Sequence, residues 1–335
     1  MAMKRGCLLV ILAVFILSSV PTYADQAPEE ILKAIVKIRS IIPQDGHTAG
    51  TLGTEREGYG VLIDAKGYIV TISYLIVEAE TIKVVGPEDQ LINATFAGYD
   101  PDTGFGLLRT DQPLSAEPMK LGESSKLNEG DRVLVAGSGG KESAMGARVI
   151  ARKELTASWE YFLEDAIFTA PPYPNYGGAA LIGRDGRLLG IGSLLTQISL
   201  QGVGTIPCNM FVPIDLLTPI LSDLISTGRS GKAPRPWLGI SAEEDQGRVF
   251  IIRVTSGGPA ERAGLKPGDL IVNVNGKAVN GLIDFYHKVW GLGPAGIEVL
   301  LSILRGSQIQ DITVRSADRY PFLLPKPKEM LKEGH

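Results

Sequence analysis

Gly58-Tyr-Gly-Val-Leu-Ile-Asp-Ala-Lys-Gly-Tyr-Ile-Val-Thr71 reads as two short strands around a turn. Gly60 to Ile63 and Tyr68 to Ile72 are apolar and β-branched, and Asp64-Ala-Lys-Gly67 between them supplies turn chemistry. The same pattern continues outward on both sides, at Ala34 to Ile42, Ile82 to Val85, Ala94 to Gly98, Phe105 to Arg109, Arg132 to Ala136 and Leu188 to Gly192. A parallel α/β fold would interpose amphipathic helices between such strands, so the spacing predicts a mainly β fold, a barrel or a sandwich. The best helix runs from Ile214 to Ile225, with Leu216, Leu217, Ile220, Leu221, Leu224 and Ile225 on one face and Gly228 as its stop. Gly228 to Pro236 is polar and rich in Gly and Pro, which makes it a linker. A smaller β-rich unit follows, and Tyr320 to His335 is a Pro- and Lys-bearing tail with no core of its own.

The chain has 335 residues, 44% of them hydrophobic, with 33 Lys+Arg against 37 Asp+Glu and a formal charge of −4. At about 150 residues per domain this gives roughly two compact domains and excludes disorder as the main state. The charge balance lacks the basic footprint of a nucleic-acid binder. Two cysteines build no disulfide framework, and His47, His287 and His335 are too few and too scattered for a His-rich metal site, so no metal and no cofactor are expected.

Lys4 and Arg5, the apolar run Cys7 to Val20, and Pro21 to Ala24 form the three regions of a secretory signal. Cleavage after Ala24 is expected, with an uncleaved signal anchor as the alternative. The mature chain then begins at Asp25, carries no stable membrane span, and keeps Cys208 as its one thiol, expected as buried packing.

Gly58 to Thr71 resembles the opening of the trypsin-like domain of the HtrA/Deg family of secreted serine proteases. Further segments keep the family's order: Asp100-Pro-Asp-Thr-Gly-Phe-Gly-Leu-Leu-Arg109 resembles the segment of the catalytic Asp, Leu121-Gly-Glu-Ser-Ser a Leu-Gly-Asp-Ser motif, Asn175-Tyr-Gly-Gly the nucleophile motif, and Phe211-Val-Pro-Ile-Asp215 the closing strand. The resemblance covers roughly Ala34 to Val314 and implies a chymotrypsin-like double β-barrel followed by a PDZ domain. The implied layout is a signal peptide over 1–24, a protease-like domain over 25–228, a linker over 229–236, a PDZ domain over 237–317 and a tail over 318–335.

Carried over residue by residue, the general-base position is Tyr74, the orienting position Gly104 and the nucleophile position Tyr176, while Pro174, which has no N–H, stands at an oxyanion-hole donor. Acyl transfer by a triad needs a hydroxyl, an imidazole and a carboxylate. The sequence therefore predicts an inactive homologue, with Tyr74 and Tyr176 either packing in the former cleft or contacting a bound peptide. Gly137-Ser-Gly-Gly-Lys-Glu142 fails the P-loop spacing and reads as a turn.

Trp237-Leu-Gly-Ile240, Val249 to Val254, Gly258 to Leu265, Pro267 to Gly276 and the strand pair Glu298 to Arg305 and Gln310 to Arg315 resemble a PDZ domain of HtrA type. The resemblance makes Trp237, Leu238, Gly239 and Ile240 the loop whose N–H groups nest a peptide's C-terminal carboxylate, with Arg235 as a nearby cation. Ligand binding is favoured over a groove occupied internally. His287, on the helix-like Leu282 to Trp290, is given no role. The expected protein is an exported, periplasmic adaptor, scaffold or regulator in envelope quality control. Its partners are peptide or protein C-termini and, through homo- or hetero-oligomers such as the family's trimers, HtrA-type proteins. The alternatives are an active endopeptidase with an unorthodox site and a structural subunit beside an active relative.

Overall fold

The computed structural model describes residues 29–325, so the expected signal segment lies outside the described residues. The first six strands are β1 (Ile35–Ile41), β2 (Glu55–Leu62), β3 (Tyr68–Ile72), β4 (Thr81–Val85), β5 (Leu91–Tyr99) and β6 (Phe105–Thr110). They close into a barrel in the order β1-β2-β3-β6-β5-β4. β2 and β3 form the hairpin read from Gly58 to Thr71, and the Asp64 carboxylate holds its turn by accepting from the Lys66 and Tyr68 N–H groups at 3.0 Å each.

A second barrel repeats this order with β7 (Arg132–Ala136), β8 (Ala144–Ala157), β9 (Tyr161–Ala170), β10 (Ala180–Ile182), β11 (Leu188–Leu200) and β12 (Gly204–Pro213), closing as β7-β8-β9-β12-β11-β10. One apolar cluster runs through both barrels and includes Ile38, Val70, Leu107, Leu134, Phe168 and Val212. The expected helix over Ile214 to Ile225 is split: a 3₁₀ turn covers Ile214–Leu216 and the α-helix only Leu221–Thr227. Pro219 lies between them without an N–H to donate, which breaks the ladder that the apolar periodicity suggested.

The third unit has β13 (Ile240–Asp245), β14 (Arg248–Val254), β15 (Leu270–Val274), β16 (Lys277–Ala278), β17 (Glu298–Arg305) and β18 (Gln308–Arg315). Their order is β13-β14-β15-β17-β18, with β16 on β15, so β13 is an edge strand. The helix Leu282–Trp290 lays Phe285, Tyr286 and Val289 on a core of Leu238, Ile240, Leu301 and Val314. The chymotrypsin-like double barrel followed by a PDZ domain is thus the observed fold.

The described residues after β18, which end at 325, pack on the first barrel, and the rest of the expected tail lies outside the described residues. Tyr320 stacks on Tyr99 with ring centroids 4.9 Å apart and donates its hydroxyl to the Gly228 carbonyl at 2.8 Å. Leu323 is buried beside Val77. The described start of the segment expected to lack a core borrows one, because Val77 and Tyr99 leave an apolar patch on the first barrel that these side chains cover.

Candidate functional site

A cavity of about 710 Å³ opens between the barrels, lined among others by Tyr74, Gly104, Ser158, Trp159, Tyr161, Tyr176 and Ser193. Tyr74 stands on the 3₁₀ turn Ser73–Leu75 that follows β3. The turn is pinned from beneath: the buried Arg56 guanidinium donates to the Tyr74 carbonyl at 2.7 Å and to Thr48 Oγ1 at 2.7 Å. The Tyr74 hydroxyl donates to the Ser193 carbonyl on β11 at 3.0 Å, across the two barrels. Burial, and then the neighbouring Tyr176, push this phenol above its ordinary range, so it stays a neutral donor.

Tyr176 shares the cavity with Tyr74. Its loop is clamped on both sides, since the Tyr59 N–H donates to the Gly177 carbonyl at 2.8 Å and the Gly178 N–H to the Gly192 carbonyl at 2.8 Å. Gly178 has φ +76°, and a Cβ there would lie 1.8 Å from the Tyr59 carbonyl oxygen, so this position admits only glycine. Gly104, at φ +83°, accepts from the Ser73 N–H at 2.7 Å, and a Cβ there would meet the Tyr161 hydroxyl at 3.2 Å. The neighbouring carboxylate of Asp100 is committed to the N–H and hydroxyl of Thr103 at 2.9 and 2.7 Å.

The structure brings Tyr74, Gly104 and Tyr176 around one cavity, and Pro174 joins Tyr74 and Tyr176 around a neighbouring one. Neither described imidazole lines the larger cavity. His47 stacks on Phe322 at 3.9 Å, and His287 meets the edge of Phe162 at 5.0 Å. Cys208 is buried, and burial raises its thiol pKa, as suits packing. Among the described residues no cluster of His, Cys, Asp and Glu suits a metal ion.

The second constellation lies at the entrance to β13. The N–H groups of Leu238, Gly239 and Ile240 converge on one point, and Gly239 makes the turn at φ +78°. A carboxylate already occupies that point. Glu160 Oε2 accepts from Leu238 at 2.8 Å, and Oε1 accepts from Gly239 at 2.7 Å and Ile240 at 3.0 Å. Burial drives the Glu160 carboxyl above its usual range while these three donors pull it down, and burial is the larger effect. Trp237 stands apart from the converging donors: it pairs its backbone with Ala317 and packs its ring near Phe322 at 4.7 Å. Arg235 lies over Trp290 and pairs with Asp102 at 3.4 Å.

Glu160 and Tyr286 escaped the sequence reading. The only local sign was a lone carboxylate between Trp159 and Tyr161, and the loop that receives it lies 78 residues further on.

The trypsin-like peptidase domain family matches residues 58–191, and the PDZ domain family matches residues 236–315. A trypsin-like peptidase domain followed by a PDZ domain is the order in which the two barrels and the third unit stand. The chain is 28% identical over 270 residues to a protein of Pseudomonas putida named probable periplasmic serine endoprotease DegP-like, covering 77% of this chain and 55% of that protein. It is 28% identical over 340 residues to the chloroplastic Protease Do-like 1 of Arabidopsis thaliana, covering 93% and 73%. The chain spans about half the length of the curated DegP-like relatives it matches. Among solved structures, an HtrA-type protease AlgW with tripeptide superposes with a TM-score of 0.51 at 22% identity over 92% of this chain and 99% of that one. A serine endoprotease from Yersinia pestis gives 0.51 at 24% over 89% and 99%. These structures share the fold. The expectation that the chain is not an enzyme is corrected by this homology: its relatives are named as a serine endoprotease and a protease, and the comparisons do not set this chain apart from them. Absence of the triad side chains at their usual positions was too narrow a basis for that expectation.

Proposed function

We propose that this HtrA-like chain works in the cell envelope and recognises the C-termini of peptides or proteins through the Leu238, Gly239 and Ile240 loop, as an adaptor or regulator in protein quality control. The observation that carries the reading is the convergence of three backbone N–H groups on a single carboxylate beside an edge strand. A peptide terminus presents the same chemistry, a carboxylate for the N–H nest and an extended backbone for the edge. The periplasmic naming of the DegP-like relatives and the apolar, basic-headed start of the sequence support an exported protein. Homo- or hetero-oligomers with HtrA-type proteins fit the same reading. No helix among the described residues is long and apolar enough to cross a membrane.

The test is a titration of the full chain from Asp25 with short peptides randomised at their C-terminal positions. Binding of the free-carboxylate pool and not of the amidated pool supports the reading, and equal behaviour of the two pools refutes it.

A second reading, an HtrA-type endopeptidase, is favoured by the names of the relatives. In that case hydrolysis runs without an imidazole at position 74. Digestion of denatured casein by the purified chain, set against a mock preparation, decides it: cleavage specific to the chain supports this reading and its absence removes it.

A further inference from the structure

The C-terminus-binding loop has no free donor. Besides the three N–H groups held by Glu160, the Ala242 N–H on the outer edge of β13 donates to the Ser158 carbonyl at 2.8 Å. Ser158 to Glu160, the tip of the β8–β9 hairpin, therefore lies along the edge strand with its carboxylate in the nest. Tyr286, on the helix across the groove, secures the same tip. Its hydroxyl lies 2.9 Å from the Ala157 carbonyl and 3.1 Å from that of Ser158, and it accepts from the Glu160 N–H at 3.1 Å. The Arg319 guanidinium donates to the Trp159 carbonyl at 3.0 Å, tying the tip from a third side. Glu160 holds this position at φ +56°, a left-handed conformation uncommon for a residue with a Cβ.

We infer that residues 158–160 are a built-in ligand of the PDZ unit, with the Glu160 side chain standing in for a C-terminal carboxylate, so that a partner's C-terminus binds only by displacing them. The inference rests on the reading of Leu238 to Ile240 as the carboxylate-binding loop. Two carboxylates cannot share three N–H donors, and two strands cannot share one edge. Occupancy is therefore competitive, and the apparent affinity for a partner is its intrinsic affinity multiplied by the fraction of chains with the tip displaced.

The experiment uses the full chain and Glu160→Gln. The amide keeps the shape of the side chain but turns an NH₂ toward an N–H donor whichever way it is placed, so it is a poor occupant of the nest. Hydrogen exchange of the Leu238, Gly239, Ile240 and Ala242 amides is read first, without peptide. Strong protection in the wild type that is lost in the variant supports the inference, and equally fast exchange in both overturns it. Should the variant fail to fold, the wild type still decides, because rapid exchange of these four amides overturns the inference and protection above that of the exposed hairpin turns upholds it.

The free-carboxylate peptide pool is titrated second. A groove displaced a tenth of the time or less predicts at least about tenfold tighter binding by Glu160→Gln. Equal affinity for both proteins overturns the built-in ligand. If neither protein binds the pool while the wild-type amides are protected, the proposed function fails and the internal ligand stands.

Discussion

Tyr286→Phe isolates the hydroxyl that fastens the hairpin tip. The ring's own packing is retained by phenylalanine, since it stacks on Trp290 at 5.1 Å and tilts on Phe285 at 5.6 Å inside the PDZ core. What disappears is the acceptor for the Glu160 N–H and the donor shared by the Ala157 and Ser158 carbonyls. A buried donor left without a partner costs about 1–3 kcal/mol, and about 2 kcal/mol is a fair central figure for this change. At 1.4 kcal/mol per tenfold, the ratio of docked to displaced tip falls about 30-fold. Burial, and then the Glu160 carboxylate, hold the Tyr286 phenol above its ordinary range, so the loss is the same across neutral pH. The assay is native-state hydrogen exchange at Leu238, Gly239, Ile240 and Ala242, with the β17–β18 amides as an internal reference. Protection should drop at the first group and hold at the second. Unchanged protection at all four amides refutes the assignment of this hydroxyl. Because Tyr286 and Glu160 act on one segment, the double substitution should cost less than the sum of the singles.

Gly104→Ala should lower stability by about 1–2 kcal/mol, because φ +83° is left-handed and the added methyl meets Tyr161, as a melting curve will show. Arg56→Met should cost about 2–3 kcal/mol by orphaning the Tyr74 carbonyl and Thr48, with the loss appearing as a lower urea midpoint. Asp269 gives a pH signature. Its burial opposes the charge, but the Arg305 guanidinium and the Lys266 N–H outweigh that and hold its pKa below the usual carboxylate range. A depressed pKa means stabilisation that is complete above the unfolded value of about 4 and fades as pH falls toward the folded one. Asp269→Asn should therefore flatten the acid limb of the urea midpoint against pH, and an unchanged limb would count against the pair.

Much of the first barrel was legible because its strands are short, apolar and bounded by Gly or Asp. Tyr68–Ile72 occupies the residues its composition indicates, and so does Arg132–Ala136 at the start of the second barrel. The β8–β9 hairpin was not. Its outer residues Arg152, Lys153 and Glu154 obscure a two-residue alternation, and its pairing carries register shifts at Val149/Ala151 and Lys153/Leu155 that break the period. The second barrel's identity with the first in strand order could not be read from the strands themselves, since topology is kept here without a repeated sequence; only the family resemblance implied a double barrel. At the site, a motif singled out Leu238 to Ile240, whereas the Glu160 carboxylate that their amides hold had no sequence signal, because only the folded chain brings it from one domain to the amides of another.

The internal ligand also sets the terms on which pieces of this protein are to be compared with the whole. A fragment starting at Trp237 leaves Glu160 behind and offers its amides uncontested, so peptides selected on it are ranked by strength against solvent alone. The intact chain asks more of a partner, because Glu160 is tethered at the nest and competes without dilution. Weak binders that pass the first screen should fail the second, and the gap between the two rankings measures how firmly the protein keeps its own docking place shut.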